Sequence, residues 1–279
     1  MYMLLALTSA VLLGVWKFGI GRYRGAISPA GVILVSASAA AVIYVFEGAL
    51  TGDSSFDALD IGHGIVGGAL NVTGTVLVLK AVERGPIGVV VGVAASCALV
   101  PLLYSFAAGE SLTWLAAAGI AVVCAGLVVF YVPNMRKDSH SPGVSAAIGI
   151  ALIAALAWGF AIIALDVGSR VSVNSTLLIS QAPQIAYALV MLGLVRRNWG
   201  GITRASLVPL ALAGVALGLG NWAYFTAAGE GDIGVVSVLG SLSPVVAAVL
   251  AYVFLKQTLQ RSQVIALSIV MLGTVLVVA

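Results

Sequence analysis

The sequence predicts an all-α integral membrane protein with ten transmembrane helices, arranged as two inverted five-helix repeats. Three observations predict this fold class: the composition, the spacing of the apolar runs and a repeated string. Hydrophobic residues make up 61% of the 279 residues, charged residues make up 8%, and the mean hydropathy is +1.15. A soluble domain is about 25% charged, because water has to wet its surface. A chain with so few charges must therefore expose most of its surface to lipid.

The apolar runs predict the individual helices. A helix needs about 20 apolar residues to cross a hydrocarbon core about 30 Å thick, and barrel strands would be only about 10 residues long. No basic residue precedes the first run, so we expect a retained helix and not a signal peptide. The ten runs leave almost nothing over for a soluble domain. They cover residues 3–21, 28–46, 62–82, 86–106, 113–131, 143–164, 173–195, 205–228, 233–253 and 262–279.

A repeated string relates the two halves of the chain. IGVV occurs at 87–90 and again, 146 residues later, at 233–236. At this offset, and after a one-residue slip, spans 3, 4 and 5 match spans 8, 9 and 10. Five spans is an odd number, so the second repeat, 143–279, crosses the membrane in the opposite sense to the first, 1–135. Many secondary transporters have this plan, with the substrate site near the midplane between the halves. The matching glycines are Gly68 with Gly214, Gly74 with Gly220, Gly85 with Gly231, and Gly126 with Gly273.

The basic residues predict which loops share a membrane face. Of the 13 Lys and Arg residues, all but Arg170 lie near the breaks after spans 1, 3, 5, 7 and 9. By the positive-inside rule this face is cytoplasmic, which places both termini outside. The net charge of +3 then reflects the loop ends. No basic cluster interleaved with aromatic residues suggests a nucleic-acid partner.

Three motifs follow one another in a fixed order: FAAGESL at 106–112, AWGFAII at 157–163 and SLSPVVAAVLAYVFLKQTL at 241–259. In order and spacing they resemble the drug/metabolite transporter superfamily, of the ten-helix EamA type. The resemblance extends over essentially the whole chain. It implies a metabolite carrier with both termini in the cytoplasm, which is opposite to the orientation that the charges indicate.

The chain departs from the family pattern at two places. The family's Gly-Glu pair is present in the first repeat as Gly109-Glu110, whereas the second repeat has Lys256-Gln257. Any ion pair made by the second carboxylate is therefore lost. The first repeat also has LLGVWKFGI where the family pattern has Trp-Gly.

The reactive side chains do not predict an enzyme. His63 and His140 lie at a span start and in the central loop, which is a poor arrangement for a metal site. GEGD at 229–232 matches a protease string but has no second intramembrane aspartate with which to share a proton. Spans 1 and 6 also lack a mid-span carboxylate, the usual intramembrane proton relay. We expect no catalysis, no metal and no cofactor, and a lipophilic-cation or drug exporter is disfavoured.

Polar and aromatic side chains in the middle of the spans predict a substrate cavity. Spans 3 and 8 each carry glycines and an asparagine at helical spacing, which also suits close helix packing. The alternative is that Asn71 and Asn221 only form hydrogen bonds between helices. In span 7, Pro183 frees a backbone carbonyl and can bend the helix toward a cavity. The residues expected to bind substrate are Asn71, Thr75, Asn221, Trp222, Tyr224, Gln184, Tyr187, Ser241, Trp16 and Trp158.

These observations predict a secondary carrier that moves a small polar or zwitterionic, amino-acid-like metabolite by alternating access. Its expected location is the plasma membrane, which in a bacterium is the inner membrane. The expected partners are the small-molecule substrate and the lipid bilayer. The sequence is also compatible with a homo-oligomer. The alternative is a non-transporting scaffold or receptor on the same fold. The sequence does not distinguish import from export or identify a coupling ion.

Overall fold

The computed structural model shows a bundle of helices joined by short connections. The last predicted span is described only in part, and Glu110, His140 and Gln257 lie outside the described residues. The structure describes residues 1–21, 23, 27–52, 56–84, 90, 93–109, 114–138, 144–195, 201–256, 265–266, 268–270, 272–273 and 276.

The observed helices agree with predicted runs 1–3 and 5–8, whereas run 9 is divided into two helices and runs 4 and 10 are described only in part. Among the described residues, seven helices have the length and composition of a membrane span, when α9 and α10 are taken together. Two shorter apolar helical segments, Ser96–Ala107 and Ala117–Gly126, overlap predicted spans 4 and 5. The helices are α1 Tyr2–Gly21, α2 Pro29–Thr51, α3 Ala58–Arg84, α4 Leu99–Ala107, α5 Trp114–Asp138, α6 Val144–Ser169, α7 Val173–Val195, α8 Arg204–Glu230, α9 Ile233–Gly240 and α10 Ser243–Leu255.

Local sequence signals begin and end these helices. Ser28 caps the start of α2 by accepting a hydrogen bond from the Gly31 N–H, and the proline that follows it suits the first helical position. Gly52 ends α2 in the left-handed conformation, with φ of 72°. At the start of α8, Thr203 and Ser206 form a reciprocal capping box.

Small residues set how closely the helices pack. Helix α3 packs against α6 and α7, and α8 packs against α1 and α2. A side chain at Gly68 would overlap the backbone of Ser180 on α7, and a Cβ at Gly214 would lie 2.9 Å from the Ser36 carbonyl oxygen on α2. Glycine is therefore required at both crossings, because the backbones themselves are in contact.

Large apolar side chains cover the outside of the bundle. On α2, Val42, Phe46 and Leu50 are 66%, 61% and 68% exposed. Such an exposed apolar stripe along a 23-residue helix would be costly in water and is suited to lipid. The chain is a multi-pass membrane protein.

Candidate functional site

The span formed by α9 and α10 is interrupted near its middle. Ser241 and Leu242 form a turn between the two helices, within an apolar stretch of 22 residues. The Leu242 N–H donates to the Leu239 carbonyl rather than to the carbonyl four residues back. A proline lies in the first turn of α10, where its missing N–H costs no helical hydrogen bond. The chain therefore restarts its helix inside the membrane region.

A second interruption precedes α4. Residues Ala95–Ala98 form a 3₁₀ helix between a short helical stretch and α4. A 3₁₀ segment inside a longer helix often marks a functional hinge. The Ser237 hydroxyl on α9 donates to the Ala98 carbonyl over 3.2 Å and so joins the two interrupted spans.

Lys17 on α1 reaches the α9–α10 interruption. Its Nζ donates to the Ser243 Oγ over 2.6 Å, and Ser243 is the first residue of α10. Helical side chains point back toward the helix N-terminus, so Lys17 points away from the near end of α1 and into the bundle. An ion pair joins Arg170 and Asp166. No described carboxylate pairs with Lys17.

Tyr224 on α8 lies beside the same interruption. Its ring lies against the end of α9, because a Cβ at Gly240 would be 2.7 Å from Tyr224 Cε2. The side chain is 6% exposed, and its hydroxyl has no hydrogen-bond partner. An ammonium group and an unsatisfied hydroxyl therefore lie beside the interruption between α9 and α10.

A second polar group lies between α3 and α6. The Trp158 indole N–H donates to the Asn71 carbonyl over 3.1 Å, and the Thr75 hydroxyl donates to the same carbonyl over 3.0 Å. The Trp158 ring packs on Gly74, where a Cβ would approach its Cδ1 to 2.5 Å. These three predicted residues are thus together, and the contacts between them hold α3 and α6 in register.

Amide side chains form a third group on α7, around Pro183. The Gln184 Nε2 donates to the Ser180 carbonyl at 3.2 Å and to the Gln181 Oε1 at 3.3 Å. The Gln181 Nε2 donates in turn to the Ser180 hydroxyl at 2.9 Å. A proline within a helix leaves a carbonyl without its partner, and this local network stabilises the helix around the gap.

The remaining predicted residues lie apart from one another. The Trp16 indole donates to the Ser36 hydroxyl over 3.4 Å, and the buried Tyr44 hydroxyl faces Asn221 without forming a hydrogen bond of standard geometry. Three further residues complete the predicted set. Ser241 lies in the interruption and donates to the Val238 carbonyl, whereas Trp222 and Tyr187 are half-buried on α8 and α7.

The sequence prediction missed the positions of three charged residues. It treated Lys17 as a loop-end charge, although a lysine between Trp16 and Phe18 in an apolar run was a usable signal. In the sequence, Asp60 lies in a break and Asp166 at a span end, but the two side chains are 0% and 1% exposed. Both aspartates lie at helix ends that neighbouring helices cover, which a linear pattern does not reveal.

The fold and these interruptions define a helical membrane protein with polar groups inside its bundle. Residues 145–279 match the model of the EamA-like transporter family. This match covers the second half of the chain and confirms its resemblance to the drug/metabolite transporter superfamily.

One solved structure shares the fold over nearly the whole chain. It is described only as "Crystal structure of protein", and it aligns with a TM-score of 0.82 over 99% of this chain and 96% of that chain. The two sequences are 19% identical, so the likeness concerns the fold alone. No curated protein matches the chain in sequence.

Proposed function

We propose that this protein is a secondary carrier that moves a small polar or zwitterionic, amino-acid-like metabolite by alternating access. In this proposal ten helices form two inverted repeats, residues 1–135 and 143–279, and the substrate binds between them. The protein has no catalytic role. The observation that carries the proposal is a pattern of paired contacts between the two halves. A glycine in one half contacts a residue in the other half, and the matching glycine contacts the residue that matches that partner.

The exchange is seen at the closest helix crossings. Gly68 on α3 meets Ser180 of α7, whereas Gly214 on α8 meets Ser36 of α2. In every such pair of contacts, each residue of the second half is numbered 144 to 147 higher than the residue of the first half that it matches. A pseudo-two-fold axis in the membrane plane would produce this exchange, as in other transporters with inverted repeats. The other exchanged contacts are Gly14 with Val246 and Gly159 with Val100, Gly74 with Trp158 and Gly220 with Leu13, and Gly126 with Val270 and Gly273 with Val123.

The two interruptions fall at matching places as well. Residues 95–98 correspond to 241–244 at the offset of 146. Interrupted helices near the midplane supply backbone groups for substrates in several transporter folds. Their pairing supports a site between the repeats, near the predicted Ser241 and Tyr224.

A contact at one end of the bundle supports a closed gate on one membrane face. The Ser105 hydroxyl of α4 donates to the Asp232 carboxylate over 2.8 Å, and Asp232 also accepts from the first N–H groups of α9. A Cβ at Gly234 would lie 3.1 Å from the Ser105 Cβ. In an alternating mechanism this contact opens while the matching ends of the same spans close on the opposite face.

The substrate class follows from the charge of the bundle interior. No described carboxylate lies in the middle of a span, so a proton relay of the small multidrug-exporter type has no acid to use. Away from the buried Asp60 and Asp166 at the helix ends, the polar groups are uncharged amides, hydroxyls and indoles, together with one ammonium. Such a set suits polar or zwitterionic metabolites better than lipophilic cations.

Uptake into proteoliposomes tests the carrier proposal. Purified protein would be reconstituted in a plasma-membrane-like lipid mixture and offered labelled amino acids, sugars, nucleosides and organic amines. We expect saturable uptake of at least one amino acid above that of protein-free vesicles. Folded protein that transports none of these compounds would favour the non-transporting scaffold.

A further inference from the structure

We propose that the Lys17 ammonium and the Tyr224 hydroxyl bind a carboxylate group of the transported metabolite at the helix interruptions. This inference rests on the proposed carrier function and narrows its substrate to carboxylate-bearing molecules. The sequence-based site included Tyr224 but treated Lys17 as a loop charge.

The first support is the direction of the lysine side chain. Lys17 lies four residues before the end of α1, where a lysine commonly extends toward the membrane surface. Its Nζ instead donates to Ser243, at the interruption in the middle of the α9–α10 span. The ammonium is therefore held inside the membrane region by protein contacts.

The second support is the lack of a counter-charge. An ammonium group buried in a low-dielectric interior is costly unless an anion or several acceptors accompany it. The single hydrogen bond described for the Lys17 ammonium goes to a neutral hydroxyl. No carboxylate in the described part of the chain forms an ion pair with it. A substrate carboxylate would supply the missing charge.

The third support is the unsatisfied Tyr224 hydroxyl. A hydroxyl buried without a partner is uncommon in folded proteins, and each case calls for an explanation. Tyr224 is 6% exposed, and its hydroxyl has no hydrogen-bond partner. Tyr224 packs on Gly240 and Lys17 bonds to Ser243, so both donors lie at the interruption between α9 and α10. A carboxylate can accept from both donors at once.

The two halves of the chain contribute different residues to this site, although the helix contacts around it occur in matching pairs. Ser243, the partner of Lys17, corresponds to Cys97 at the offset of 146. On α6, the residues that align with Lys17 are Ile162 or Ile163. The ammonium therefore marks one end of an otherwise symmetric region, which would fix the orientation of a zwitterion.

Ligand-induced stabilisation tests the inference. Protein purified in detergent would be unfolded thermally with increasing leucine, serine or phenylalanine, and in parallel with leucinamide, serinamide or phenylalaninamide. Each amide keeps the side chain and removes the carboxylate. For at least one pair we expect the amide to bind about 10- to 100-fold more weakly, as expected for the loss of a charge-assisted hydrogen bond.

Substitutions assign the effect to the two donors. Lys17→Gln should abolish the preference for the acid over the amide, whereas Lys17→Arg should retain most of it. Tyr224→Phe should weaken acid binding about three- to tenfold. Lys80→Gln removes the same charge at an exposed position and should change neither ligand. If Lys17→Gln does not fold, Lys17→Arg and Tyr224→Phe still provide the comparison.

The outcomes separate this inference from the carrier proposal. Equal binding of acid and amide, or no stabilisation by any acid, would refute the carboxylate site, even if uptake of uncharged metabolites supported the carrier. Acid binding that depends on Lys17, without uptake in proteoliposomes, would support the site and refute the carrier.

Discussion

At the residue scale, Lys256 shows a feature that the sequence pattern predicted only in part. The chain has Lys256 where the family pattern has glycine, and the expected consequence was a lost carboxylate at the next position. The structure shows a consequence in the backbone. Lys256 ends α10 with φ of 52°, whereas Gly109 has φ of 82° at the corresponding position after α4. A left-handed conformation costs a residue with a Cβ about 1–2 kcal/mol.

Lys256→Gly should therefore stabilise the protein. Glycine relieves the strain but loses more backbone entropy on folding, so the expected gain in the free energy of unfolding is about 0.5–1 kcal/mol. Thermal unfolding in detergent would measure it as a raised midpoint. The reciprocal variant Gly109→Ala should lower the midpoint. A lowered midpoint for Lys256→Gly would contradict the account of this helix end.

Whole helices were predicted better than their interruptions. Helix α7 was expected at 173–195 and is observed as Val173–Val195, because its apolar run has clear polar boundaries. The interruption between α9 and α10 was not predicted, since residues 233–253 read as one continuous apolar run. Ser241 and the neighbouring Ser-Pro pair were the available signal. Close approach of two backbones, as at Gly68, depends on a partner 112 residues away in sequence and is not visible in either helix alone.

The crossing of α3 and α7 provides a test at this scale. Gly68→Ala should destabilise the protein by about 1–3 kcal/mol, because its Cβ would meet backbone atoms of Ser180 that cannot rotate away. Gly149→Ala is the matched control, since no atom lies within 4 Å of a Cβ there. We expect the control to leave the unfolding midpoint unchanged or slightly raised. Similar effects of both variants would refute the tight crossing.

For the whole molecule, two signals predict opposite orientations in the membrane. The charges predict that the loops after spans 1, 3, 5, 7 and 9 are cytoplasmic, whereas the family resemblance implies the opposite orientation. Five of the thirteen basic residues lie outside the described residues. The side on which the loops lie is a property of the protein in its membrane and not of the fold. The repeat arrangement can be tested separately from the absolute orientation.

Labelling of single cysteines tests the arrangement of the spans. In a background with Cys97 and Cys124 replaced, cysteines at Tyr23, Gly201 and Lys256 should all react from one membrane face. Cysteines at Phe56 and Arg170 should react from the other face, because an odd number of spans separates the two groups. Mixed labelling within either group would refute the ten-span, inverted-repeat proposal. Labelling of the first group from outside would only reverse the orientation.

A reversible lock at the Ser105–Asp232 contact tests the central claim of alternating access most directly. In the same cysteine-free background, Ser105→Cys with Gly234→Cys brings two Cβ atoms close enough for a disulfide, since the Cβ distance there is 3.1 Å and little adjustment is required. Counterflow of a labelled substrate would be measured in proteoliposomes before oxidation, after oxidation and after reduction. The single-cysteine variants serve as controls.

The account predicts that oxidation stops counterflow in the double variant, that a reductant restores it, and that the single-cysteine variants are unaffected. A carrier must open this contact once in every cycle, so a covalent bond across it holds the protein in one state. Counterflow that continues at its full rate in completely cross-linked protein would contradict the account.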